Sequence, residues 1–73
     1  MAEYKIETFY TDGKSSYYTY RTNSLSNAKI QAKATYLLTK HKDENVDRVS
    51  ISTMSGKFRA AYRGRGKWEE VSA

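Results

Sequence analysis

Two stretches that alternate residue by residue, each broken by a glycine turn, flank one stretch with helical spacing, and this order leaves few folds open. In the first, Tyr4, Ile6 and Thr8 alternate with Lys5, Glu7 and Phe9, the period of an extended strand. Thr11-Asp12-Gly13-Lys14 then supplies a turn, Asp-Gly being a usual pair for a tight hairpin. Residues 16–22, Ser-Tyr-Tyr-Thr-Tyr-Arg-Thr, are rich in β-formers and read as the returning strand. The second alternating stretch sets Val49, Ile51 and Thr53 against Arg48, Ser50 and Ser52. Ser55-Gly56 turns the chain, and Phe58, Ala60 and Tyr62 alternate with Arg59, Ala61 and Arg63. Gly64-Arg65-Gly66 ends this hairpin.

Between the hairpins, Asn23 or Ser24 can cap a helix by accepting a backbone N–H bond. The spacing predicts a helix from about Leu25 to about His41. Ile30, Ala34, Leu37, Leu38 and His41 fall at i, i+4, i+7, i+8 and i+11, one face of that helix. Lys29, Lys33, Tyr36 and Lys40 share another face. The fold class expected is therefore α+β, in the order ββαββ, with a four-stranded, mainly antiparallel sheet and one amphipathic helix packed on one face. Ile30, Ala34, Leu37 and Leu38 are expected to bury against Ile6, Val49, Ile51 and Phe58. Residues 1–66 read as a single small domain and residues 67–73 as a short, partly disordered C-terminal tail.

Size and composition narrow the function. A chain of 73 residues buries only about 60% of its unfolded surface, so its core is thin. Cysteine and proline are absent and His41 is the one histidine, so no thiolate metal site can form, and neither metal nor cofactor is expected. No apolar run approaches the length of a membrane span, and a soluble, cytoplasmic protein without a membrane partner is expected. Thirteen Lys and Arg against eight Asp and Glu give a net charge of +5, which attracts polyanions. Seven tyrosines suit half-buried strand faces and binding surfaces alike.

The candidate site lies in the run from Lys57 to Trp68, which interleaves five cations with Phe58, Tyr62 and Trp68. Arg59, Arg63, Arg65 and Lys67 would neutralise phosphate, and Tyr62 or Trp68 would stack on a base. If Phe58 and Tyr62 face the helix, Arg59 and Arg63 project from the other side about 13 Å apart, with Ala61 leaving room between them. Lys29, Lys33 and Lys40 form a secondary basic patch on the helix. It is expected to point away from the open sheet face, so that the two patches do not form one site. Tyr18 and Tyr20 share one strand face and Tyr17 the other, and parity alone leaves open which face is the core. Catalysis is not expected, because no base lies at a recognisable spacing from Ser15-Ser16 or from Ser50 and Ser52, and no phosphate loop or dinucleotide fingerprint occurs.

The order of elements resembles two groups of small proteins. Tyr20 to Ser52 is similar in pattern to a phage-encoded inhibitor of host RNA polymerase, in which a hairpin leads through a polar turn into an amphipathic helix and a returning strand. That group lacks the second hairpin and its basic run. The arrangement also resembles the β-rich DNA-binding module of phage and transposon integrases, which has three strands before its helix where this chain has two. Both likenesses are architectural and imply a phage or mobile-element accessory protein. The function expected is non-catalytic nucleic-acid binding through the C-terminal hairpin, with DNA and RNA both open. The alternative is an accessory protein that binds and modulates a host protein through its sheet face or edge. A homodimer paired through its sheets is compatible with either.

Overall fold

The computed structural model describes residues 2–64 and 66–70. Its elements are β1 (Ala2–Tyr10), β2 (Ser15–Thr22), α1 (Leu25–Lys42), β3 (Val46–Thr53), β4 (Phe58–Tyr62) and β5 (Trp68–Glu70). The strands form one sheet in the order β2-β1-β3-β4-β5, antiparallel at every junction. The α+β class is as expected, but the sheet has five strands and not four. Trp68–Glu70, read from the sequence as tail, pairs with β4 in register Tyr62↔Trp68 and Ala60↔Glu70. Alternation over three residues is too short a signal to announce a strand.

Each boundary has a local cause. Asp12 closes the first turn by accepting the Lys14 backbone N–H through its side chain, at 3.0 Å. Ser24 caps α1, its hydroxyl accepting from the Asn27 N–H at 3.1 Å. Lys40, His41 and Lys42 occupy the last turn, where cations suit the helix dipole.

Cross-strand partners share a sheet face, so register assigns the sides. Ile6 pairs with Ile51 and Tyr18, Thr8 with Val49, and Val49 in turn with Tyr62. This set faces α1. The core consists of Ile6, Val46, Val49, Ile51, Ala60 and Tyr62 from the sheet and Ala28, Ala32 and Tyr36 from α1, with Tyr4, Tyr10, Tyr20, Leu25 and Trp68 packed around it.

The helix is turned relative to the expectation. Ile30, Leu37 and Leu38 are 69%, 53% and 66% exposed, and Ala34 is exposed as well. The sheet supplies its own bulk, since Tyr4, Tyr20, Tyr62 and Trp68 rise from its inner face. Little height is left beneath the helix, and Ala28 and Ala32 let its backbone come close. Phe58 corrects a second expectation. A bulge between Ile51 and Ser52 makes Arg59 an extra residue and pairs Phe58 with Ser52, away from α1, where it is 40% exposed.

Candidate nucleic-acid interface

The face of the sheet opposite α1 is uncovered by any element among the described residues. Register places Tyr17, Glu7, Ser50, Ala61 and Glu69 in one row across all five strands. Beside it run Thr19, Lys5, Ser52 and Phe58, and on the other flank Ser15, Phe9 and Arg48. Ser50 and Ala61 are small and buried, so they form a floor with the longer side chains rising around it.

Three rings stand on this face. Tyr17 is 61% exposed, with the Lys5 ammonium 4.4 Å from its ring centre. Phe9 lies under the Arg48 guanidinium at 4.0 Å. Phe58 stands on the far side of Ser52, next to Arg59. A ring with a cation beside it is the pairing that stacks a base and neutralises its phosphate. Tyr18 and Tyr20 face the helix instead. The Tyr18 hydroxyl is within 2.6 Å of Thr35 Oγ1 and accepts from Gln31 Nε2 at 3.2 Å, which resolves the parity left open by the sequence.

Acids answer many of the cations. Arg21 bonds Glu3 at 2.9 Å, Lys5 lies 3.9 Å from Glu7, and Arg48 bonds Asp47 at 2.8 Å. Arg63 donates to Glu69 and, at 3.2 Å, to Asp47. The hydrogen bond that Arg63 donates to Glu69 is the main reason its guanidinium is held above its ordinary pKa, with the charges of Glu69 and Asp47 adding to it. Among the described residues, Arg59 and Lys57 form no ion pair.

The sequence candidates therefore separate. Arg63 is engaged twice, while Arg59, the extra residue of the bulge between Phe58 and Ala60, forms no ion pair among the described residues. Tyr62 is 3% exposed, enclosed by Tyr36 in an edge contact at 5.2 Å and by Trp68 at 4.9 Å, so its ring has no face to offer a base. Trp68 is half-buried on Tyr62 and anchors β5. Lys67 is exposed, and Arg65 lies outside the described residues. The secondary patch lies on the helix side of the sheet, beside the inward residues of β4 and β5. Lys29 pairs with Glu70 and sits 5.6 Å over Trp68, and Lys33 sits 6.0 Å over Tyr62. Lys40 and Lys67 both line a cleft of about 690 Å³ between α1 and β5. This ground is on the helix side and is separate from the open face.

Phe9, Tyr17 and Arg48 were not singled out as contacts from the sequence. Their signal was parity: Phe9 falls on the same side of its strand as Lys5 and Glu7, and Tyr17 on the same side as Thr19 and Arg21. Among the described residues no three His, Asp or Glu side chains cluster as metal ligands, and no helix is long and apolar enough to cross a membrane. Compared with protein families, with characterised proteins and with solved structures, the chain matches none.

Proposed function

We propose that this protein is a non-catalytic binder of single-stranded nucleic acid, and that the open sheet face is its contact surface. Phe9, Tyr17 and Phe58 stack on bases, while Arg59, Lys57 and the ring-bound cations Lys5 and Arg48 follow the phosphates. The observation that supports this reading is the pairing of Tyr17 with Lys5 and of half-buried Phe9 with Arg48, alongside the exposed Phe58, on the one sheet face that the helix leaves bare. Sheets with that combination hold splayed single strands by stacking, which tolerates any base because every base has a π-face. A flat face with a floor of Ser50 and Ala61 suits an extended strand better than the curved wall of a duplex. Relative to the sequence reading, the function is kept and the contact surface moves from the hairpin to the whole sheet.

The test is a titration of fluorescein-labelled single-stranded DNA and RNA oligonucleotides at several salt concentrations. Of the four cations assigned to phosphate, Lys5 and Arg48 already face Glu7 and Asp47, so the log–log slope should be that of two contacts, about −1.4 from roughly −0.7 each on a single strand. Replacing Tyr17 or Phe58 with Ala should each weaken binding by about 1–3 kcal/mol, the usual worth of one stacked base. Absence of binding at low salt overturns the proposal.

A further inference from the structure

The sheet face leaves the outer side of α1 without a role, and that side carries large apolar residues. Ile30, Ala34, Leu37 and Leu38 stand at i, i+4, i+7 and i+8, all exposed, with His41 one turn on. The fold has no use for them there, since Ala28, Ala32 and Tyr36 make the helix's buried contacts. We propose that this stripe, together with the cleft beside it, docks an acidic amphipathic helix of another protein.

Three observations fix the occupant. The first is spacing: anchors at i, i+4, i+7 and i+8, a little over two turns at about 3.6 residues per turn, match the ridge along which two helices pack. The second is charge. From Leu25 to Lys42 the helix contains no Asp or Glu, and Lys33 and Lys40 line one flank of the stripe. A second copy of this chain would bring Lys33 and Lys40 against the same lysines in an antiparallel pair, so the complement is a helix that carries carboxylates. The third is continuity. Leu37 of the stripe and Lys40 on its flank also line the 690 Å³ cleft, together with Tyr36, Tyr62, Lys67 and Trp68. The cleft's two carboxylates, Asp47 and Glu69, are both bonded to Arg63, which leaves Lys40 and Lys67 as its cations without a carboxylate partner among the described residues. An apolar side chain of the incoming helix fits beside Tyr36 and Tyr62 while its acids meet Lys40 and Lys67. Cations gather on the side of the stripe that borders the cleft, whereas the opposite side carries Gln31 and Thr35 and only Lys42 at its end. That asymmetry suits one helix lying in one direction; a helix lying flat on an anionic bilayer would carry cations along both flanks.

The probe is a synthetic 18-residue helical peptide with Leu at i, i+3, i+4 and i+7 spacing and Glu on its remaining face, titrated against the intact protein by anisotropy. Saturable binding is expected, weakened at least about tenfold by the double change Leu37→Asp and Leu38→Asp and similarly by Lys33→Glu with Lys40→Glu. Both leucines are exposed, so circular dichroism of the leucine variant should be unchanged, as should its affinity for the oligonucleotide. That separates this docking from the sheet-face reading. The same peptide with Lys in place of Glu should not bind. No binding of the acidic peptide, equal binding of the basic one, displacement by anionic lipid vesicles, or a homodimer in sedimentation that the leucine changes dissociate would each overturn the proposal.

Discussion

Gly64→Ala tests the packing on which the helix orientation rests. Gly64 is buried, with φ +91°, and a Cβ there would lie 2.9 Å from Tyr36 Oη and 3.2 Å from two of its ring carbons. The ring cannot swing away freely. It meets Tyr62 edge-on at 5.2 Å, and its hydroxyl donates to the Arg63 carbonyl at 3.3 Å. Two contributions follow. A side chain in the left-handed region costs about 1–2 kcal/mol, and forcing a methyl into a filled space costs about 1–3 kcal/mol more. The sum is about 2–5 kcal/mol. A chain of this size has roughly 4–11 kcal/mol of stability from about 0.05–0.15 kcal/mol per residue, so the variant should sit near the edge of folding.

Gly56→Ala separates the two contributions, because Gly56 has φ +95° but nothing within 4 Å of its Cβ position. It should lose only the conformational part, about 1–2 kcal/mol. Urea unfolding followed by Trp68 fluorescence reads both variants, since Trp68 rests on Tyr62, the neighbour of Tyr36. The slope with denaturant should be unchanged, and the melting temperature of Gly64→Ala should drop by at least about 8 °C, from 4–8 °C per kcal/mol for a domain of this length. Equal losses in the two variants would mean that Tyr36 does not seat against Gly64. The inward set of Ala28, Ala32 and Tyr36 would then be wrong.

The helix orientation has a second test: Ala32→Leu should destabilise by about 1–3 kcal/mol through overpacking, whereas Leu38→Lys should change stability by no more than about 0.5 kcal/mol, both read by urea unfolding. Arg63→Ala should cost no more than about 1 kcal/mol despite its two carboxylate partners, because those pairs are solvated. In oligonucleotide titration Arg59→Ala should flatten the salt slope by about 0.7, while Arg63→Ala, already engaged by Glu69 and Asp47, should change it less. Phe9→Ala should weaken oligonucleotide binding by about 1–3 kcal/mol and release Arg48 from its ring, which the same titration measures.

Strand positions were legible in the sequence because one period governs them. Ile6, Val49 and Ile51 announce an inner face by alternation alone, and the observed register honours it. Phe58 broke the rule because a bulge adds Arg59 to one strand of the pair, and nothing in Lys57-Phe58-Arg59-Ala60 marks where the extra residue falls. The helix was legible in extent and capping but not in rotation. Ala28, Ala32 and Tyr36 are spaced as regularly as Ile30, Ala34 and Leu37, so periodicity supports both faces. Hydrophobicity favours the leucines. The choice is made by the space above the sheet, which depends on side chains from four other strands. The ion pairs were illegible for the same reason, as Arg63 finds Asp47 sixteen residues away only once β3 and β4 are paired.

How the bulk is shared between sheet and helix decides which surfaces the molecule has to offer. Where a sheet contributes Leu and Val, a helix must bring large residues down to meet them, and its outer side is left polar. Here Tyr4, Tyr20, Tyr62 and Trp68 fill the layer from below, and the hydroxyls of Tyr18 and Tyr36 find polar partners between sheet and helix. Thr35 and the Arg63 carbonyl answer Tyr18 and Tyr36, and Lys29 and Lys33 set their ammonium groups over Trp68 and Tyr62. Lysines thus serve as the shoulder of the core, and the outer side of α1 is released from any packing duty. Apolar residues on a released surface add nothing to folding and favour association. Polar replacements of Ile30, Leu37 and Leu38 should therefore be neutral for stability, and their effect should register in what the helix binds.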